Sequence, residues 1–159
     1  MSPILKLLGK NAKLTTAELA EMLALDPETV SSQIERWEQD GTIMGYQAIL
    51  DPEKSRHDGV TALIEVKIRP ERGGGFDHLA ERIAKFDQVT SCYLMSGGYD
   101  LCVVVTGENL REVARFVAER LSTIEGVLST ATRFQLKAYK QNGLLATQET
   151  GNERLPVTP

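Results

Sequence analysis

No run of apolar residues in this 159-residue chain approaches the ~18 that a membrane-crossing helix needs. The opening MSPILKLLGKNAKLTTAEL also lacks the long apolar core and small-residue cleavage site of a secretory signal. A cytoplasmic protein without membrane contact is therefore expected. Cysteine is scarce, with only Cys92 and Cys102. If Gly97 and Gly98 are the two residues of a hairpin turn, Tyr93 pairs with Cys102 and Cys92 with Val103. The thiols then point to opposite sheet faces and cannot bridge, as suits free thiols in a reducing compartment. The two histidines, His57 and His78, stand at no recognised metal-ligand spacing, so no metal site is expected. Nucleophile elbows and paired carboxylates in a catalytic setting are missing, which argues against an enzyme and leaves no catalytic residue to nominate. The GGG at 73–75 is not followed by the lysine of a phosphate-binding loop and reads as a strand-to-helix connection. Positive charge is not in excess either: the net charge is −4.

The distribution of charge says more than its sum. Residues 1–53 carry Lys6, Lys10, Lys13 and Arg36 against nine acidic residues, whereas residues 57–140 hold eleven of each sign. The acidic segment has the grammar of two short helices. TTAELAEML caps at Thr15 or Thr16 and puts Leu19, Ala20 and Leu23 on one face. Asp26-Pro27 is an N-cap followed by proline at the first helical position, and the next helix stops at Gly41. Within it Val30, Ile34 and Trp37 fall at i, i+4, i+7 as a buried stripe. Thr29, Ser31, Ser32, Gln33 and Arg36 remain on the polar side. Two helices so joined form a helix-turn-helix. The β-prone TIMGYQAIL that follows predicts a wing or connecting strand, and Asp51-Pro52 with KSRHDG predicts a linker.

From Val60 the pattern changes to alternation. VTALIEVKI sets Val60, Ala62, Ile64, Val66 and Ile68 on one side, and FDHLAERIAKF is helical through Phe76, Leu79, Ala80 and Ile83. VTSCYLM and LCVVVTG are strands. NLREVARFVAERLSTI begins with Asn109 and Glu112 at capping-box spacing and turns Leu110, Val113, Val117, Leu121 and Ile124 inward. VLSTATRFQLKAY is the last strand. The order β-α-β-β-α-β predicts a ferredoxin-like sheet with both helices on one face. Because LCVVV is apolar on both alternations, the uncovered face calls for a second copy of the sheet. The domain reading is a winged helix-turn-helix over 1–50, a linker over 51–58, a βαββαβ effector-binding and oligomerisation domain over 59–140, and a flexible or docked tail over 141–159. The fold class is α+β.

The chain resembles the Lrp/AsnC family of feast/famine transcriptional regulators. The resemblance rests on LTTAELAEMLALDPETVSSQIERWEQDGTIMGY, on QAILDP and on the βαββαβ domain with its SGGYDL turn, and it spans nearly all of residues 4–140. It implies double-stranded operator DNA bound through the second helix, with Thr29, Ser31, Ser32, Gln33 and Arg36 as contacts. It implies dimers that assemble to tetramers or octamer-like rings, and a small effector, usually an amino acid, bound between subunits near the glycine turn. No other cofactor is implied. Met95, Ser96, Gly97, Gly98, Tyr99 and Asp100 are the candidate effector contacts, completed by Thr130 or Thr132 from another strand or subunit. Asp100 is read either as the partner of a ligand ammonium or as a cap for the turn. Lys6, Lys10 and Lys13 are read either as phosphate contacts or as solvated surface. Where the family usually carries basic residues this chain has Ser32, Gln33 and Glu35, which predicts weak DNA binding with a shallow salt dependence. The other reading is a ligand-binding oligomeric module with weak or lost DNA binding.

Overall fold

The computed structural model describes residues 1–51, 54–55, 59–70 and 75–146. His57, Gly73 and Gly74, most of the expected linker and the tail from residue 147 lie outside them. The chain divides into two compact units, Met1–Ile49 and one that begins at Leu50.

The first unit holds α1 (Pro3–Leu8), α2 (Thr16–Leu23) and α3 (Pro27–Gln39). Thr15 closes a capping box on α2: its hydroxyl accepts from Glu18 N at 3.2 Å, and Glu18 Oε2 accepts from Thr15 N at 2.7 Å. The bonds that Thr15 N and Thr15 Oγ1 donate to Glu18 Oε2 hold that carboxyl below the usual carboxylate range. Ala24 ends α2 in the left-handed region at φ 52°. Asp26 Oδ2 then caps α3 by accepting from Thr29 N at 3.0 Å, with Pro27 just behind it. The three helices bury Ile4, Leu8, Leu19, Ala20 and Val30 together, and Ile34 and Trp37 pack against that core. The strand expected in TIMGYQAIL does not form: residues 44–50 carry no regular secondary structure and find no ladder partner among the described residues. The segment is tied back to α3 instead, by Ile43 N to Trp37 O at 2.9 Å and by Tyr46 Oη donating to Glu38 Oε1 at 2.8 Å.

The second unit is built from β1 (Val60–Ile68), α4 (Asp77–Ala84), β2 (Val89–Leu94), β3 (Leu101–Gly107), α5 (Leu110–Phe116) and β4 (Val127–Phe134). The antiparallel sheet has the order β2-β3-β1-β4 expected of the ferredoxin-like arrangement. One alternation of β1 and β3 (Ala62, Ile64 and Val66 with Leu101, Val103 and Val105) buries completely beneath Leu79 and Ile83 of α4 and Val113 and Phe116 of α5. Each of these side chains larger than Ala62 contributes roughly 1.5–3 kcal/mol of transfer free energy. Phe86 meets the Phe116 ring edge-on with centroids 5.4 Å apart. After Phe116 the chain widens into a π-helical turn, Val117–Leu121, with Ser122 N bonded to Val117 O at 2.8 Å.

Three expectations need correction here. Leu110 stays 55% exposed, because the helix packs on the sheet only from Val113 onward and Leu110 sits at its first position. Glu112 Oε2 caps Glu108 N rather than the N–H of Asn109, although Asn109 Oδ1 does accept from Glu112 N at 3.0 Å. The last strand ends at Phe134 rather than at Tyr139, and the chain goes on to a hairpin, β5 (Lys140–Gln141) and β6 (Leu144–Leu145). Asn142 and Gly143 turn it with φ 46° and 88°.

Candidate functional site

Two surfaces carry the candidate residues, one in each unit. On α3 the stripe Val30, Ile34, Trp37 fixes the rotation of the helix. Thr29, Gln33 and Arg36 fall at i, i+4, i+7 on another side. Thr29, Ser32, Gln33 and Arg36 are exposed, and Ser31 is half-buried. The hydroxyls are already engaged. Ser32 Oγ donates to Glu28 O at 2.8 Å, Ser31 Oγ donates to Glu35 Oε1 at 3.1 Å, and Thr29 Oγ1 donates weakly to Asp26 Oδ2 at 3.4 Å. Arg36 is the only cation on the helix, and its field adds to the hydrogen bonds from Thr42 that lower the Asp40 carboxyl. Lys6, Lys10 and Lys13 are exposed along and after α1.

The second surface is the 95–100 turn between β2 and β3. The register agrees with the expectation from sequence: Cys92 opposes Val103, Tyr93 opposes Cys102, and Leu94 opposes Leu101. Both cysteines are free, and burial pushes both thiols up from their ordinary range. Beyond Leu94 one bond remains, Met95 N to Asp100 O at 2.8 Å. The two glycines then differ. Gly97 lies at φ +121°, a conformation that side chains resist, whereas Gly98 lies outside the positive region. A Cβ added at either would meet nothing within 4 Å. Met95 is 40% exposed and Ser96 is exposed, with Tyr99 half-buried.

Asp100 anchors this turn to β1. Its N–H donates to Val66 O at 3.0 Å, and its Oδ2 accepts from Ile68 N at 2.8 Å. Leu101 opposes Val66, so Ile68 would next face residue 99, which has left the ladder. The carboxylate takes the place of that missing carbonyl. An Asp100 side chain turned wholly outward is therefore not what forms, since one oxygen is held inside.

Thr130 and Thr132 are not brought to the turn. They oppose Val66 and Ile64 on the helix-covered side, and β1 stands between their strand and β3. That places them two strand spacings away, roughly 10 Å from β3. Thr130 Oγ1 lies 3.2 Å from Ser122 Oγ. Within one chain they therefore stand apart from the turn. Among the described residues no group of three His, Cys, Asp or Glu side chains is arranged to hold a metal, and no helix is long and apolar enough to cross a membrane.

Comparison with known proteins agrees with this layout. Residues 61–145 match the family described as the Lrp/AsnC ligand binding domain, and residues 4–44 match the winged helix-turn-helix DNA-binding family. The uncharacterized HTH-type transcriptional regulator YugG of Bacillus subtilis (strain 168) is 43% identical over 157 residues, covering 98% of this chain and 95% of that protein. The proline dehydrogenase transcriptional activator of Rhizobium radiobacter is 24% identical, covering 89% of this chain and 90% of that one. Among solved structures, the transcriptional regulator NMB0573/L-Met complex from Neisseria meningitidis superposes with a TM-score of 0.68 at 30% identity, over 87% of this chain and 88% of that one.

Proposed function

The chain belongs to the Lrp/AsnC family of transcriptional regulators, and from that premise we propose that it is an amino-acid-responsive regulator whose oligomeric state or DNA affinity is set by a small effector. It is a cytoplasmic, non-enzymatic protein that acts on operator DNA through α3. It works as a homo-oligomer, a dimer that assembles further to a tetramer or octamer. The relative solved as an L-Met complex supports an amino acid as the effector class.

Gly98 carries the reading. Its backbone does not need glycine and its surroundings within the chain do not either. What a bare position there provides is close approach of another group to the backbone. A free amino acid presents a carboxylate that seeks convergent N–H donors and an ammonium that seeks an anion. The turn offers the first through residues 96–99 and the second through the remaining oxygen of Asp100. Met95 and Tyr99 supply apolar wall, and Ser96 adds a hydroxyl. Since the turn stands at the end of its own sheet, the other wall belongs to a neighbouring subunit. Occupancy is then coupled to assembly. The test is a footprint on DNA upstream of the protein's own or a neighbouring gene, titrated with each of the twenty amino acids. At least one should shift the protection; protection that none alters would overturn the effector reading.

The second reading, a ligand-binding oligomer with weak or lost DNA binding, draws on α3 itself. Glu28 and Glu35 flank its contacts and Arg36 is its only cation. Avidity from several helix-turn-helix units would have to compensate. The slope of log K against log salt counts phosphate contacts and discriminates the two. A shallow slope with a defined footprint fits the regulator. Binding that is equal at all sequences fits the module.

A further inference from the structure

The sheet face opposite α4 and α5 carries Leu63, Glu65 and Lys67 of β1, Cys102 and Val104 of β3, Tyr93 of β2, and Ala131 and Arg133 of β4. Leu63 is 39% and Tyr93 56% exposed, so apolar surface is open to a partner. Amid it stands a fork. Arg133 Nε donates to Glu65 Oε1 at 2.9 Å and Arg133 Nη2 donates to Glu65 Oε2 at 3.2 Å. The two residues are diagonal neighbours, since Glu65 opposes Ala131. The Arg133 side chain is 68% exposed and that of Glu65 27%.

Covering such a couple with apolar surface strips water from the donors and lone pairs that the fork leaves over, and this penalty can exceed the attraction within the pair. A partner therefore has to bring an acceptor to Arg133 and a donor to Glu65, set among apolar side chains. The same couple, turned through a two-fold axis, has that pattern. In an isologous interface any contact from Arg133 of one copy to Glu65 of the other occurs twice. We infer that the Glu65–Arg133 couple selects a second copy of this chain as the partner on the bare sheet face and disfavours unlike chains. The inference rests on the homo-oligomer reading and adds to it the residues that choose the partner.

The experiment uses full-length Glu65→Arg and Arg133→Glu chains carrying different mass tags, each checked for native circular dichroism and examined by native mass spectrometry alone and mixed. Alone, each variant places like charges together and should dimerise at least about tenfold more weakly than wild type. Mixed one to one, they should return to within about threefold of wild type and associate almost wholly as unlike pairs. Variants that dimerise alone as tightly as wild type, or a mixture that assorts statistically, overturn the inference while leaving assembly intact. A wild-type chain that stays monomeric overturns the homo-oligomer reading as well. If charge reversal unfolds the chain, Glu65→Gln and the double variant Glu65→Gln/Arg133→Gln carry the test. The single change should weaken the dimer at least about tenfold by leaving Arg133 uncompensated, and the double change should recover most of that loss. Equal affinities in all three chains overturn the inference.

Discussion

On α3 the hydroxyls of Thr29, Ser31 and Ser32 are committed to Asp26, Glu35 and the Glu28 carbonyl. At the 95–100 turn, by contrast, Gly98 has open space where a side chain would stand. The helix is locally self-satisfied, so the proposed reading of bases needs those bonds exchanged for contacts to DNA. The turn is locally under-used, since its sequence is more permissive than the fold requires. A residue type that the fold explains is weak testimony for function, and one that the fold leaves unexplained is stronger.

The sharpest way to break this contrast is on the helix. Arg36→Ala should weaken operator binding by about 2 kcal/mol, roughly 30-fold, with relaxed specificity at the base it reads. Lys13→Ala should weaken all sequences alike and by less. Equal effects in a filter-binding titration would mean that Arg36 reads no base, and α3 would lose its claim to be the specific surface.

Within the turn the two glycines separate backbone from ligand. Gly97→Val forces a β-branched residue to φ +121° and should cost about 1–3 kcal/mol, a fall of roughly 5–15 °C in melting temperature for a domain of this size. Gly98→Val meets neither strain nor contact and should stay within about 0.5 kcal/mol of wild type. Comparable losses at both positions would make the pair a plain hairpin device. Asp100→Ala leaves Ile68 N–H without its acceptor and should cost about 1–2 kcal/mol before any ligand is added. A neutral result would free the carboxylate for a purely ligand-facing role.

The smallest effect concerns the sheet of the second unit rather than the two surfaces. Burial raises the thiols of Cys92 and Cys102 above their ordinary value of about 9.0. A folded thiol that holds its proton more tightly contributes stability that is full below the unfolded value. That contribution is lost as pH rises past 9 through the folded value. Alkaline denaturation should therefore lower the melting temperature of wild type slightly more than that of Cys92→Ala/Cys102→Ala. Parallel profiles would show that the thiols do not titrate with unfolding.

Much of the fold is local and could be read ahead. Asp26 is legible as a cap from Asp26-Pro27 alone, the cap of α2 narrows to Thr15 or Thr16, and the pairing of Tyr93 with Cys102 follows from counting outward from two glycines. The misses depended on distant or intersubunit partners. TIMGYQAIL has strand propensity, but a strand needs a neighbour, and the described residues offer none there. Asp100 turns inward because β3 leaves the ladder while β1 continues to Ile68, a mismatch that neither strand reveals alone. The parity that sends Thr130 and Thr132 under the helices follows only from the β1–β4 register. The hairpin at 140–145 is different, since Asn142-Gly143 was a plain turn signal, masked by polar Lys140 and Gln141 on its first strand.

The most direct measurement is the thermal shift of wild type and Gly98→Val with each of the twenty amino acids, because a ligand that binds only the native state raises its melting temperature. The account predicts that at least one amino acid raises the melting temperature of wild type, and that none raises that of Gly98→Val although the unliganded proteins melt within about 4 °C of each other. An amino acid that stabilises both chains equally would place the effector site away from the glycine turn and contradict the account.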